Sequence, residues 1–159
     1  MTLEFLQPKE GDTILVMAEP LRKLMSEIFQ HLGVSTEDSD IASDILVTAD
    51  LRGVDTHGIF YNPKRNYIPR LSNGEINPNP KEEVMNETAA TALIDGDHGL
   101  GHPAAYKGMN VAIRKAKEVG VGLVSIRNSS HLGMLAYYPS MAVEQGMIGM
   151  IMTAGGGRI

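Results

Sequence analysis

The sequence predicts a mixed α/β fold, in which a helical N-terminal segment precedes an α/β part. Three observations support this prediction. Apolar residues recur at spacings of three and four after Pro20, a proline-rich passage ends at Pro80, and short apolar runs alternate with helical patterns beyond it. We therefore divide the chain into a helical segment, residues 1–80, and the first part of an α/β domain, residues 81–159.

The helical segment opens with two predicted helices. The first starts at Pro20 and ends at Gly33, a residue type favoured just past a helix end. Ser35 or Thr36 caps the second helix, whose acidic first turn suits the positive end of the helix dipole. The second helix ends near Gly53. The predicted buried faces are Leu21, Leu24, Met25, Ile28, Phe29 and Leu32 in the first helix and Ile41, Ile45, Leu46 and Ala49 in the second.

The α/β part is predicted to alternate short strands with helices. The predicted strands are 88–94, 121–126 and 147–153, and the predicted helices are 104–119 and a second one that ends near Gly146. Strands that are apolar throughout suit a sheet covered on both faces. The turn DGDHG follows the first strand and the loop RNSSHLG follows the second. In open α/β sheets, ligands bind beyond the carboxyl ends of such strands.

Composition argues against several classes of protein. With a net charge of -5 and no run of like charges, the chain lacks the basic surface that nucleic acid requires. It has no cysteine, which excludes disulfides and thiolate sites and favours a cytoplasmic location. The N-terminus does not resemble a signal peptide, and the apolar runs are too short for a membrane span. Histidine and carboxylate spacings predict no metal site.

His57 is the first of two histidines placed for chemistry. It lies in DLRGVDTHGI, just past the end of the second helix, and Gly58 lets the backbone turn sharply there. Loops held by rigid elements often carry reactive side chains. The alternative is an ordinary turn in which Asp55 and Thr56 bond local backbone amides.

His131 is the second histidine that is placed for chemistry. It lies in NSSHLG, between a predicted strand and the helix that follows, where Asn128, Ser129 and Ser130 could fix its tautomer. An imidazole there is suited to proton transfer near neutral pH. The alternative is a loop that only caps the next helix.

Several segments, taken together, resemble the malate/L-lactate dehydrogenase family, which includes ureidoglycolate, sulfolactate and diketogulonate-type enzymes. They are DLRGVDTHGI, NYIPRLSNGEINPNP, LIDGDHGLG, VGLVSIRNSSHLGMLAYY and MAVEQGMIGMIMTAG, in the family's order. The resemblance implies a cofactor domain that is not a Rossmann fold, a homodimer, and NAD or NADP as cofactor. It also implies an oxidoreductase that transfers a hydride to or from a small 2-hydroxy or 2-oxo acid such as malate or lactate.

The resemblance also assigns residues. His131 and His57 match histidines with proton-transfer roles, and Thr56 replaces the serine that usually precedes the second of these. Tyr61 stands where the family has a substrate-binding arginine, so we expect Arg65 to bind the substrate carboxylate. Tyr67 matches a tyrosine that faces the substrate.

The sequence leaves four questions open. Thr153 and Gly155 are the expected start of the cofactor-side loop, and family members continue well beyond the length of this chain. A truncated, non-catalytic module for oligomerisation or interaction is therefore the alternative to an enzyme. The choice of acid, the choice of NAD or NADP, and the division of work between the two histidines are also undecided.

Overall fold

A computed structural model describes residues 15–154. Five α-helices, a 3-10 turn, a π-helical turn and a three-stranded sheet make up this part of the chain. In chain order they are α1 Ala18–His31, α2 Thr36–Leu51, the 3-10 turn Asp55–His57, the π-turn Pro63–Tyr67, α3 Ile68–Ser72, β1 Glu83–Glu87, β2 Thr91–Gly99, α4 Gly101–Val119, β3 Leu123–Ser129 and α5 Tyr137–Val143. None of the helices between residues 15 and 154 combines the length and the apolar character needed to cross a bilayer.

The predicted pair of N-terminal helices is confirmed. Helix α2 begins after Ser35, whose hydroxyl accepts a hydrogen bond from the Asp38 backbone N–H at 3.2 Å. Pro20 lies in the first turn of α1. Backbone N–H groups in this turn have no partner within the helix, so a proline there costs no helical hydrogen bond. Met25 and Phe29 are buried as expected, whereas Leu24, also placed on the predicted apolar face, is 52% exposed.

The passage between α2 and the sheet contains more helix than the sequence indicated. We read its prolines as marks of a loop and a boundary, but Pro63 starts the π-turn and Pro69 is the second residue of α3. Both positions tolerate proline, because the first N–H groups of a helix are unpaired in any case. The prolines therefore initiate helices here.

The sheet has the order β1-β2-β3, with β1 antiparallel and β3 parallel to β2. All five residues of β1 are exposed, so no apolar pattern in the sequence predicted this strand. Strand β2 runs on to Gly99 through the segment that we predicted to be a turn. The chain still bends there, because Asp97 and His98 adopt the left-handed conformation, with φ of 45° and 56°.

Helix α4 covers one face of the sheet. Ala92 and Ile94 of β2 are buried on this face, and their neighbours in register on β3 are Val124 and Ile126. Residues on the opposite face are more accessible, and Leu123 is 62% exposed. The expectation of a sheet covered on both faces is therefore not met within residues 15–154.

The predicted strand 147–153 is wrong. In the described part of the chain it pairs with no other strand, although its side chains alternate in burial as those of a strand do. Ile148, Met150 and Met152 are 97%, 73% and 80% exposed, while Ile151 packs against the core. Periodicity alone identified an extended chain, but a strand also requires a neighbour.

Two apolar clusters hold the fold together, and both contain residues from either side of position 80. The buried members of the first are Met25, Phe29, Val34, Ala42, Leu46, Tyr67, Leu71, Ile76 and Leu100. The buried members of the second are Ile45, Ala105 and Tyr138, with Ile126, Leu132, Ile151 and others packed against them. The division into residues 1–80 and 81–159 stays a prediction.

Replacing the Ser35 cap tests the origin of α2. Ser35→Ala removes the acceptor for the Asp38 N–H, so we expect a loss of about 1 kcal/mol in the free energy of unfolding. Urea denaturation measures this loss. Ser72→Ala, at an exposed position, is the control and should change stability by less than about 0.5 kcal/mol. Equal effects of the two changes would contradict the capping role.

Candidate active site

The loop that carries His131 is fixed to the start of α4. The Ser130 backbone N–H donates to the Gly99 carbonyl at 3.2 Å, and the Gly101 N–H donates to Ser130 Oγ at 3.0 Å. A Cβ atom on Gly101 would lie 2.2 Å from the Ser130 carbonyl oxygen, so only glycine permits this approach. The loop after β3 is therefore held at the carboxyl end of the parallel strands, where the sequence placed it.

Two donors meet at one nitrogen of His131. Tyr67 Oη lies 2.6 Å from His131 Nδ1, and the Gly133 backbone N–H donates to the same Nδ1 at 3.2 Å. We had expected the preceding polar residues to fix the tautomer. Instead, the side chain of Asn128 binds Asp95 and that of Ser130 binds Gly101.

The His57 loop is held by a carboxylate from α2. Asp50 Oδ2 accepts a hydrogen bond from the Ile59 backbone N–H at 2.9 Å. A Cβ on Gly58 would lie 1.6 Å from Asp50 Oδ1, so a larger residue at this position would displace the carboxylate. Burial raises the pKa of Asp50 above its ordinary value, although the bond from Ile59 opposes the shift. The turn is thus ordered by Asp50, a residue that we had not singled out.

His57 and His131 lie side by side. Their rings are stacked, with centroids 5.5 Å apart and planes inclined by 23°. The hydroxyl of Thr56 lies 2.9 Å from His57 Nδ1. Burial, and secondly the neighbouring His57, lower the pKa of His131. His131 is therefore biased towards its neutral form, in which a ring nitrogen carries a free electron pair.

Tyr67 belongs to the apolar core and to the site at once. It comes from the π-turn and is fully buried in the first cluster, yet its hydroxyl reaches His131. Burial raises the pKa of this hydroxyl well above its usual value, so Tyr67 stays protonated. The structure thus brings together four predicted site residues, Thr56, His57, Tyr67 and His131.

His102 lies behind this group. It is fully buried, and burial lowers its pKa to about 3. We expected a neutral, hydrogen-bonded ring, but neither ring nitrogen has a hydrogen-bond partner among the described residues. The ring packs edge-on against Tyr67, with centroids 4.8 Å apart. Gly133, at φ +72°, lies so close that a Cβ there would be 2.8 Å from His102 Nε2. His102 thus supports both residues that donate to His131.

Among the described residues, no hydrogen bond or ring contact joins Arg65 or Thr153 to this group. Arg65 is exposed and stacks on Tyr61, with its guanidinium carbon 4.8 Å from the ring centroid. Thr153 is exposed in the extended segment after α5. Gly155 falls outside the described residues.

A separate groove of about 820 Å³ runs between α2, α4 and α5. Its lining is mostly polar and includes Asp44, Arg52, Arg114 and Lys117, but none of the four site residues. Between residues 15 and 154, no cluster of three or more histidine and carboxylate side chains could hold a metal ion.

Comparison with known proteins gives a consistent family match. The family model for malate/L-lactate dehydrogenase matches residues 16–157. L-sulfolactate dehydrogenase from Methanocaldococcus jannaschii is 44% identical over 140 residues, which cover 88% of this chain and 40% of that protein. Malate dehydrogenase from Pyrococcus horikoshii is also 44% identical over 140 residues, covering 88% of this chain and 38% of that protein.

Solved structures of the same two proteins resemble this fold. The Methanocaldococcus jannaschii structure gives a TM-score of 0.80 at 43% identity, covering 83% of this chain and 38% of that one. The Pyrococcus horikoshii structure gives 0.82 at 42% identity, covering 86% and 39%. The chain thus spans about 40% of the length of the curated relatives that it matches.

The buried His102 makes stability depend on pH. The unfolded chain binds a proton at this imidazole below pH 6.5, whereas the folded protein does not bind it until about pH 3. The contribution of the neutral His102 ring to stability is therefore complete above pH 6.5, the pKa of the unfolded chain, and is lost as the pH falls. Lowering the pH from about 6.5 to 5 should therefore reduce the free energy of unfolding by roughly 1.5–2 kcal/mol.

Denaturation of the protein and of His102→Gln at both pH values measures this loss. The variant should lose less stability than the parent by about that amount, because glutamine does not titrate. His31→Gln, at an exposed position, is the matched control and should behave as the parent does. If His102→Gln lost as much stability as the parent, the buried neutral ring would be refuted.

Proposed function

Because the chain belongs to the malate/L-lactate dehydrogenase family, we propose that it supplies the proton-transfer residues of an oxidoreductase. The proposed reaction is hydride transfer between NAD or NADP and a small 2-hydroxy or 2-oxo acid. One observation carries the proposal: His57 and His131 are stacked 5.5 Å apart, and His131 is bonded to the buried Tyr67. The chain covers about 40% of its relatives, so the proposal concerns the activity of a whole enzyme.

The histidine pair provides what the reaction demands of a protein. Oxidation of a hydroxyl needs a base that takes the hydroxyl proton, and reduction of a carbonyl needs an acid that returns one. The lowered pKa of His131 keeps one imidazole of the pair neutral near pH 7. The pair therefore offers a neutral imidazole, that of His131, as a proton acceptor beside a substrate oxygen.

We propose that the nicotinamide end of the cofactor binds beside the extended segment after α5. When bound, NAD or NADP accepts or supplies the hydride. A flat ring needs apolar surface, and the extended segment after α5 exposes Ile148, Met150 and Met152. Ile151 of this segment packs in the same cluster as Leu132, the neighbour of His131. We propose Thr153 as a cofactor contact on this segment, together with Gly155 beyond it.

Substrate binding is proposed for three residues. The support for the first two is that Thr56 contacts His57 and Tyr67 contacts His131, the proposed proton-transfer residues. Arg65 is the proposed partner of the substrate carboxylate, because its guanidinium is exposed and its planar group suits that anion. Malate, lactate and sulfolactate, which share a 2-hydroxy carboxylate, are the proposed class of acid.

We propose that the enzyme is a cytoplasmic homodimer. The family resemblance supports a homodimer, and the absence of cysteine supports a cytoplasmic location. We propose no nucleic-acid or membrane partner.

Turnover of histidine variants tests the function. We propose to join residues 16–157 to the part of the Pyrococcus horikoshii enzyme that follows its aligned region, since the two are 44% identical there. Nicotinamide absorbance then reports oxidation of malate, lactate and sulfolactate. His57→Ala and His131→Ala should each lower kcat by about 10²–10⁴-fold, because each removes an imidazole that acts on the substrate oxygen.

His31→Ala, at an exposed position of α1, is the matched control and should leave kcat unchanged. Titration of the chain alone with NADH and NADPH, followed by cofactor fluorescence, completes the test. A folded hybrid that turns over none of the acids, with no cofactor binding by the chain, would favour the non-catalytic module.

A further inference from the structure

We propose that the groove between α2, α4 and α5 binds a small anion that carries a diphosphate group. The inference does not depend on the proposed function, because the groove contains none of the four residues of the candidate active site. It follows from three features of the groove: its excess of positive charge, the neutral donors beside its arginines, and its size.

Three cations and two carboxylates line the groove. The cations are Arg52 from α2 and Arg114 and Lys117 from α4, and the carboxylates are Asp44 and Glu144. Arginine and lysine are the side chains that bind phosphate groups in proteins, because they donate charged hydrogen bonds. Which charges remain available to a ligand depends on the partners that each group already has.

Asp44 does not offset these cations, because both of its oxygens have partners. Oδ1 accepts a hydrogen bond from Arg22 Nε at 2.8 Å, and Oδ2 accepts one from the Tyr137 hydroxyl at 2.6 Å. Arg22 lies outside the groove and balances the charge of this carboxylate. Three cations therefore face one remaining carboxylate, in a chain whose net charge is -5.

The cations themselves have few partners. Between residues 15 and 154, the side chain of Arg52 makes no hydrogen bond or ion pair. Arg114 Nη2 lies 3.8 Å from Glu87 Oε1, which is a long ion pair. Lys117 Nζ donates to the neutral amide oxygen of Gln145 at 2.7 Å, so its charge is not balanced. All three can therefore bind an anion.

The helix dipoles explain only two of these positions. A cation near a helix C-terminus is favourable, since the dipole is negative there. Arg52 is the C-cap of α2, and Lys117 lies in the last turn of α4. Arg114 lies before that turn, so the dipole does not account for it. A ligand shared by the two helices accounts for all three.

Each of these two helices also presents a neutral donor one turn before its arginine. Thr48 precedes Arg52 on α2, and Asn110 precedes Arg114 on α4, by four residues in both cases. Residues at this spacing lie on the same face of a helix. Within the described part of the chain, neither the Thr48 hydroxyl nor the Asn110 amide has a hydrogen-bond partner. Each helix thus offers a guanidinium and a neutral donor to one phosphate group.

The size of the groove indicates a ligand larger than one phosphate. Its volume is about 820 Å³, within the range of roughly 300–1,000 Å³ that is usual for small-molecule sites. Its mostly polar lining does not suit an apolar ligand or an apolar helix. Two linked phosphate groups provide enough charged oxygens to bind donors from both helices at once.

Titration of the whole chain with inorganic pyrophosphate tests the proposal. Isothermal titration calorimetry at low ionic strength should show one saturable site, with an affinity that falls as salt is added, because the cations are exposed. Orthophosphate can bind the donors of only one helix and should bind at least about ten-fold more weakly. Absence of saturable pyrophosphate binding, or equal affinity for the two anions, would overturn the proposal.

Substitution of the arginines tests the assignment to the groove. Arg52→Gln and Arg114→Gln should each weaken pyrophosphate binding by about ten-fold or more. Lys23→Gln, on the exposed surface of α1, removes the same charge outside the groove and should weaken binding by less than about two-fold. All three positions are exposed, so the variants should fold as the parent does, which circular dichroism checks. Equal weakening by the three variants would mean that only overall charge attracts the anion, and would refute the site.

NMR of the parent chain locates the anion without any substitution. Pyrophosphate should shift the backbone amide signals of Thr48, Asn110 and Gln145, and should leave those of the His57 and His131 loops unchanged. ADP and NADH carry the same group on a nucleotide, so titrations with them distinguish a free diphosphate from a nucleotide ligand of the groove. Pyrophosphate shifts centred on the two histidine loops would overturn the inference.

Discussion

The hydrogen bond from the Tyr67 hydroxyl to His131 Nδ1 connects the two parts of the molecule that make the site. Tyr67 comes from the π-turn that follows the helical pair, and His131 comes from the loop after β3. The tyrosine ring is fully buried in the first apolar cluster, so the packing of α1 and α2 determines where its hydroxyl lies. The orientation of the imidazole thus depends on the core of the helical segment.

Much of the fold was predictable because it rests on local patterns. Helices α1 and α4 carry long amphipathic stretches, and for α2 the Ser35 cap was identified by residue type and position. Strand β1 was missed because all its residues are exposed. Such a strand forms by pairing with its neighbour and has no alternation of apolar and polar residues that the sequence could show. The prediction of a strand at 147–153 failed for the opposite reason. The segment alternates in burial as a strand does, but it has no partner strand among residues 15–154.

The residues of the candidate site were predictable, but the hydrogen bonds and packing contacts between them were not. His57 and His131 were selected from their loops, and Tyr67 from the family resemblance. The contacts that define their chemistry are not local: Tyr67 meets His131 from far along the chain, and Asp50 orders the His57 turn from α2. His102 was predicted to be neutral, but its lack of a hydrogen-bond partner depends on packing that no spacing encodes.

The close approach of Gly133 to His102 has an evolutionary consequence. A Cβ at position 133 would lie 2.8 Å from the His102 ring, so a larger residue there fits only if residue 102 becomes smaller or moves. Substitutions at the two positions should therefore be non-additive, as for any pair in direct contact. Within the family, we expect the two positions to change together, so that each constrains the sequences that the other can explore.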